Sequence, residues 1–271
     1  APQFAGARLA DCAVAISGDA AITKVIQMPR SLSDSDLEQQ VEMQADQYIP
    51  FPMEEVSYDF EVIGASEKDP DMLDVLLVAT RSENVEQRLA AVVAAGLEAR
   101  VVDVEAFALE NACRLMTHQM PEGGINRHIA VVDFGASTTT FSVLRDLKVA
   151  YTRDFNFGGQ QLTEEIMRTY GLSMEEAGRA KKEGGLPSNY QPEVLDPFID
   201  DMTQQVSRSL QFYLALGSGR EQPEKILVCG GCANIPGIAE MIASRVGIPA
   251  ERGDPLGQMK ISSRARALGV H

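Results

Sequence analysis

Asp133-Phe-Gly-Ala-Ser-Thr-Thr-Thr140 decides how this chain is read. The stretch follows an apolar run, His128-Ile-Ala-Val-Val-Asp133, and leads into a second β-like run, Phe141-Ser-Val-Leu144. A strand that ends in Asp-x-Gly and turns back through hydroxyl residues suits a phosphate carrying a metal ion. Glycine lets the backbone come close, an Asp reaches the metal through water, and successive N–H groups form an anion nest. Far downstream a second apolar strand, Ile226-Leu-Val-Cys229, runs into Gly230-Gly231. The pair points to nucleotide binding.

Composition narrows the alternatives. The 271 residues allow two domains or one large one, with apolar content for a sizeable core. No apolar run approaches the ~20 residues that span a bilayer, and nothing reads as a secretory signal. The expectation is a soluble, cytoplasmic chain. A formal net charge of −15 opposes binding to nucleic acid or to anionic lipid. The absence of Trp argues against a base-stacking surface. The acid is scattered without a terminal run, as on a solvated surface. Four cysteines make no disulfide framework in a chain this long. Cys229-Gly-Gly-Cys232 is a C-x-x-C, but a redox pair needs a lowered thiol pKa and a zinc site needs further ligands. Cys12, Cys113, His118, His128 and His271 are scattered. The pair therefore reads as small residues of a buried strand and its turn.

The first hundred or so residues predict a compact α/β unit. Strands Cys12–Ile16 and Ala21–Ile26 flank a turn at Gly18-Asp19, and a helix opens at Ser35 with Glu38 as its capping-box partner. Leu37, Val41, Ala45 and Tyr48 form its apolar stripe and Pro50 stops it. Strands Val56–Ile63 and Leu73–Thr80 are separated by a polar turn at 66–71. Ser82 caps the next helix, which ends at Gly96. Strand Ala99–Val104 leads into a helix from Glu105 to about Met116, and Pro121-Glu-Gly-Gly124 reads as a linker. Three consecutive strands follow, Ile129–Asp133, Thr139–Leu144 and Val149–Phe155. Gly158-Gly159 introduces a helix through Tyr170, and a polar helix spans Ser173–Lys182. A long amphipathic helix runs from about Glu193 to Leu216, then a strand Lys225–Cys229, a helix Ile235–Val246, a short strand at Ile248 and a closing helix Ser262–Leu268. Three meandering strands, helix, strand, helix, strand, helix is half of an actin-like fold.

The motif order resembles that of the actin, heat-shock chaperone and sugar-kinase superfamily, and more closely the bacterial cell-division protein FtsA. The segment Ala45-Asp-Gln-Tyr-Ile-Pro-Phe-Pro-Met-Glu-Glu-Val-Ser-Tyr-Asp-Phe-Glu-Val-Ile-Gly64 looks like a signature of the PilM family, the cytoplasmic actin-like proteins of type IV pilus assembly. Val102-Asp-Val-Glu-Ala-Phe-Ala-Leu109 and Asn156-Phe-Gly-Gly-Gln-Gln-Leu-Thr163 are also similar to that family. The likeness covers nearly the whole chain. It implies an α/β, ribonuclease H-like actin-type ATPase fold of the FtsA kind. Residues 1–122 would be the remainder of a first lobe, with an extra subdomain at about 20–102. Residues 123–271 would be the second lobe, with a helical insertion at about 165–224.

The resemblance also implies ATP and Mg²⁺ in a cleft. Asp133 would approach Mg²⁺ through water, while Gly135, Ala136, Ser137 and Thr138 face the β and γ phosphates. Gly230 and Gly231 would let backbone lie against the α phosphate and the nucleoside, where a side chain would collide with the ligand. Gly159 belongs to the same set, or only to a strand-to-helix turn. Glu105 matches the position of an acid near the attacking water, so it is the general-base candidate; a first-turn acid favoured by the helix dipole is the equal alternative. Lys181 matches a residue flanking adenine and ribose, although Gly178 stands where an acid usually precedes it; a solvated helix charge is the alternative.

The superfamily opens with an Asp-x-Gly hairpin, and Asp133-Phe-Gly135 is the only Asp-x-Gly here. The first lobe is expected to be incomplete, with weak or absent ATP binding and little or no hydrolysis. The family role is that of a scaffold binding the N-terminal cytoplasmic segment of the inner-membrane protein PilN, alongside other pilus motor components. This partner would recruit the chain to the inner membrane without direct insertion. Tyr48, Ile49, Pro50 and Phe51 would line or brace the peptide groove, or else plug the core after a helix stop. An ATPase or sugar kinase of the same superfamily is the rival, but it needs a further catalytic Asp that the chain does not show. An FtsA-like filament former is the third option.

Overall fold

The computed structural model describes residues 10–66, 69–217, 221–260 and 262–267. Leu268 of the expected closing helix, and Glu67 and Lys68 of the expected polar turn, lie outside them, as does His271. The chain divides into two units, Ala1–Ala108 and Leu109–His271.

In the first unit, β1 (Asp11–Ile16) is followed by β2 (Ala21–Pro29), α1 (Asp34–Tyr48), β3 (Val56–Ala65), β4 (Met72–Arg81), α2 (Ser82–Ala94) and β5 (Glu98–Val104). β1 and β5 pair in parallel, and β2–β4–β3 form an antiparallel sheet. Alternation sets the packing. Ile26 and Met28 of β2 and Val75, Leu77 and Ala79 of β4 turn to one face, where Leu37, Val41 and Ala45 of α1 cover them. Capping differs from the sequence reading. Ser33, not Ser35, is the N-cap of α1, and its Oγ accepts from the Asp36 N–H at 3.3 Å. That start places Asp34 and Asp36 in the first turn, where the helix dipole favours them. Ser82 is the first helical residue of α2 rather than its cap, and its Oγ lies 3.1 Å from that of Ser57.

α3 (Glu105–Cys113) crosses the division and continues as a 3-10 segment to Gln119. In the second unit, Pro121–Gly124 is a short 3-10 turn before β6 (His128–Phe134). Then come β7 (Thr139–Arg145), β8 (Lys148–Phe155), α4 (Gly159–Tyr170), α5 (Met174–Glu183), α6 (Asp196–Ala215), β9 (Lys225–Gly230), α7 (Ile238–Val246), β10 (Ala250–Arg252) and α8 (Ser263–Ala267). One five-stranded sheet results, ordered β10–β9–β6–β7–β8. The β6–β7–β8 meander is antiparallel, and β9 lies parallel to β6 on the other side. Both faces of β6 are covered. Ala130, Val132 and Phe134 meet the α4, α6 and α7 side, while Ile129 and Val131 meet Cys113, Met116 and Met120. This double burial explains why β6 reads as continuously apolar rather than alternating.

Candidate functional site

Parallel pairing of β6 with β9 brings two strand ends together: Asp133 pairs with Cys229 and Phe134 with Gly230. Phe134 is fully buried and meets Phe157 edge-on at 6.5 Å, which in turn stacks on Phe198 at 5.2 Å. This aromatic base seats the 135–138 turn. The turn closes on itself, with the Gly135 N–H donating to the Thr138 carbonyl at 3.0 Å. Two of the four hydroxyls of residues 137–140 are also spent internally. Thr139 donates to the Phe157 carbonyl at 2.7 Å and Thr140 to Asp154 at 2.6 Å. Ala136 and Ser137 are exposed and Thr138 is half-buried, so these three form the outward surface of the loop.

The glycines separate into different roles. Gly230 has φ 82°, and a Cβ there would stand 2.3 Å from the Phe134 carbonyl oxygen and 2.4 Å from Asp133 Oδ1. Its bareness is required by the protein's own backbone. Gly231 has nothing within 4 Å of a built Cβ, so its surroundings are open. Gly158, absent from the sequence-derived site, is an equally close approach, with a Cβ position 2.4 Å from the Ala136 carbonyl oxygen. That approach allows the start of α4 to dock on the loop. The Gly159 N–H donates to Gly135 O at 3.0 Å and the Gln160 N–H to Ala136 O at 2.7 Å.

Lys181 reaches the same place from α5. Its Nζ donates to the Gly159 carbonyl at 2.8 Å and to Thr163 Oγ1 at 2.6 Å. Burial lowers its pKa, Lys182 lowers it further, and Cys232 opposes the shift. Burial raises the pKa of Asp133, and among the described residues no Lys or Arg forms a salt bridge with it. A half-buried carboxylate without a cation is a place where added positive charge is favoured. No group of three or more His, Cys, Asp or Glu that could hold a metal occurs among the described residues. A Mg²⁺ ion there would take Asp133 directly or through water, with the remaining ligands from water and phosphate. The C-x-x-C pair is not set up for redox work. Burial pushes the Cys229 thiol up to about 12 and raises that of Cys232.

Asp133, Gly135 to Thr138, Gly159, Lys181, Gly230 and Gly231 thus share the second unit, and all but Gly231 are linked there by the pairings and contacts above. Glu105 and Tyr48 to Phe51 belong to the first unit. Glu105 is the exposed first residue of α3, directly after β5. The four residues after α1 divide among themselves. Ile49 is buried in the core, Phe51 packs against it with the Arg81 guanidinium 4.3 Å above its ring, and Pro50 is exposed. Tyr48 lines an open groove of about 740 Å³ with Val25, Gln27, Gln44 and Ile63. A second, smaller groove of about 170 Å³ separates the two sheets of this unit. Ile16, Val102 and Val104 line it on one side, with Ala21, Tyr58 and Val78 on the other. Those residues were not singled out in the sequence, because only the tertiary pairing of β1 with β5 assembles them.

A five-stranded sheet with an antiparallel meander, a parallel fourth and fifth strand, and glycine-bearing turns at the ends of β6 and β9 defines an actin-like α/β protein. No helix of the described residues is long and apolar enough to cross a membrane. The family model described as type IV pilus assembly protein PilM matches residues 3–270, so the chain belongs to the PilM family of type IV pilus assembly proteins. Among solved structures it is similar to one titled PilM-PilN type IV pilus biogenesis complex, at 28% identity and a TM-score of 0.75, covering 97% of this chain and 75% of that one. Weaker likenesses include the ethanolamine utilization protein EutJ from Carboxydothermus hydrogenoformans, at 19% identity and a TM-score of 0.47, covering 89% of this chain and 84% of that one.

Proposed function

We propose that this pilus-assembly protein is a scaffold that binds the N-terminal cytoplasmic segment of PilN in the groove between the two sheets of its first unit. The observation that carries the reading is that groove: a narrow, mainly apolar slot between β5 and the β2–β4–β3 sheet. Such a slot suits an extended segment whose apolar side chains fill small pockets. The similarity to a structure titled as a PilM-PilN complex supports the same partner. Binding to PilN would bring the chain to the inner membrane. Fluorescence anisotropy with a synthetic peptide of the PilN N-terminus tests this. The exposed groove residue Val102 can be changed without opening the core, so Val102→Glu should weaken binding at least about tenfold by placing a charge in an apolar slot. Unchanged affinity in that variant would overturn the placement.

The second unit would hold the phosphates of a magnesium nucleotide, ATP in the intact assembly. The N–H groups and hydroxyls of Ala136, Ser137 and Thr138 would face the phosphate, Asp133 the ion and Gly231 the nucleoside. The cation-free Asp133 carboxylate supports this reading. In this unit taken alone these are contacts from one side of a ligand, so the binding expected is weak. Amide NMR shifts with Mg-ATP should concentrate at residues 135–138 and 230–231 and lose their magnesium dependence in Asp133→Asn. Shifts elsewhere only would sink the assignment.

A further inference from the structure

The acid of this chain has no terminal run, yet it is concentrated. Residues 31–80 contain thirteen Asp and Glu against a single Lys, in a chain of formal net charge −15. Asp34, Asp36, Glu38, Glu42 and Asp46 lie on α1, Asp59 and Glu61 on β3, and Asp74 on β4. Among the described residues none of the acids in this span forms a salt bridge. The second unit behaves differently, pairing Glu110 with Arg114, Glu175 with Arg179, Asp200 with Arg245 and Glu251 with Lys225. Of these acids Asp74 lines the 740 Å³ groove, and Asp46 and Glu61 stand two residues from its lining residues Tyr48 and Ile63; Val25, Ile63 and Tyr48 in that lining are exposed by 56%, 50% and 43%. This groove shares no lining residue with the slot between the two sheets. It also touches both outer strands of the β2–β4–β3 sheet, which have one unpaired side each among the described residues.

We propose that this groove is a docking site for an extended, Lys- or Arg-rich segment of a partner protein that alternates basic with apolar side chains. Charge selects among occupants. A second copy of the chain would bring two uncompensated acidic faces together, which costs free energy. Nucleic acid and anionic lipid carry the same sign as the groove. A bound divalent ion lacks a converging ligand set among the described residues. A basic segment with alternating apolar side chains satisfies the charge and the exposed apolar side chains together.

The test uses the whole chain and a fluorescent peptide of about five Lys-Val repeats with blocked ends, against oligolysine of equal charge. The alternating peptide should bind at least about tenfold more tightly than oligolysine, and lose at least about tenfold in affinity between 0.1 and 0.5 M salt. Val25→Ser with Ile63→Ser should remove the advantage over oligolysine, and Glu61→Gln with Asp74→Asn should weaken both peptides. Glu183→Gln with Asp201→Asn, equal in charge but on the second unit, should leave binding unchanged. Circular dichroism confirms folding of each variant, and a photo-crosslinking peptide should mark β2, α1 or β3. Equal binding of the two peptides, equal loss in the second-unit control, or crosslinks confined elsewhere would overturn the proposal. Salt-resistant self-association abolished by the Val25 and Ile63 changes would overturn it in favour of a second copy.

Discussion

Gly230→Ala and Gly231→Ala differ by one position in the chain and should differ widely in consequence. At Gly230 a methyl group meets two penalties. The backbone at φ 82° and ψ −177° lies in a region essentially confined to glycine and costs another residue about 1–3 kcal/mol. The Cβ would also overlap the Phe134 carbonyl and the Asp133 carboxylate at 2.3 and 2.4 Å, where the first obstacle is backbone held by β6–β9 pairing. Forcing such a shift costs about 1–3 kcal/mol more. The total, about 2–6 kcal/mol, lowers the melting temperature of a domain this size by roughly 5–20 °C. At Gly231 the backbone is ordinary and the Cβ meets nothing within 4 Å, so the change should stay within about 0.5 kcal/mol. Calorimetric melts of both variants beside the parent measure the contrast. Amide NMR with Mg-ATP then separates the roles, since Gly231→Ala should weaken the loop shifts at unchanged stability. Equal melting temperatures for the two variants would refute the account of the β6–β9 junction.

Asp133→Asn should raise the melting temperature at pH 7 and leave it unchanged near pH 3. Burial raises the folded pKa of Asp133 above the usual 3.8, so the stability its neutral form provides is lost as pH rises through that folded value. A parallel gain at both pH values would contradict this. Cys113 and Cys229 are held near 12 against an ordinary 9.0 by burial, with Cys229 adding to the shift of Cys113 and Asp133 to that of Cys229. Native protein at pH 8 should therefore be alkylated at these thiols about a thousandfold more slowly than a free cysteine, as mass spectrometry can follow. Their contribution to stability is fully present below pH 9 and should fall away between pH 9 and 12, visible as a declining urea midpoint. Gly178→Ala places a methyl into open space within α5 and should stabilise the second unit by about 0.5–1 kcal/mol; a lower urea midpoint would count against the helix geometry.

Local chemistry made much of this fold legible. The β6–β7 hairpin, the polar helix that opens at Ser173 and the α4 start after Gly158 follow from spacing and turn residues. Capping at α1 did not, because Ser33 and Ser35 both precede an acid at the capping distance. The decision lies in which first turn holds both Asp34 and Asp36. Long-range facts were illegible for a different reason. That Ile49 and Phe51 enter the core while Tyr48 faces a groove depends on strands far away in the chain, as does the slot lined by Val102 and Val78. Gly158 looked like a mere turn because its constraint, the Ala136 carbonyl, comes from another loop.

That constraint also decides which surface of the second unit can face an anion. A helix N-terminus is usually the ready phosphate site, because its first N–H groups are free and its dipole is positive. At α4 the first two are taken, since Gly159 and Gln160 donate to the carbonyls of Gly135 and Ala136. Lys181 is bound to the Gly159 carbonyl and Thr163, so its charge braces the helix start from α5. The helix therefore spends its field on orienting the loop. With the carbonyls of residues 135 and 136 drawn towards α4, the anion-facing role passes to the outward surface of Ala136, Ser137 and Thr138. Lys181 on this geometry is a positioning residue. Its removal should loosen the loop and broaden the amide resonances of residues 135–138 even without nucleotide, an effect that loss of a ligand contact alone would not produce.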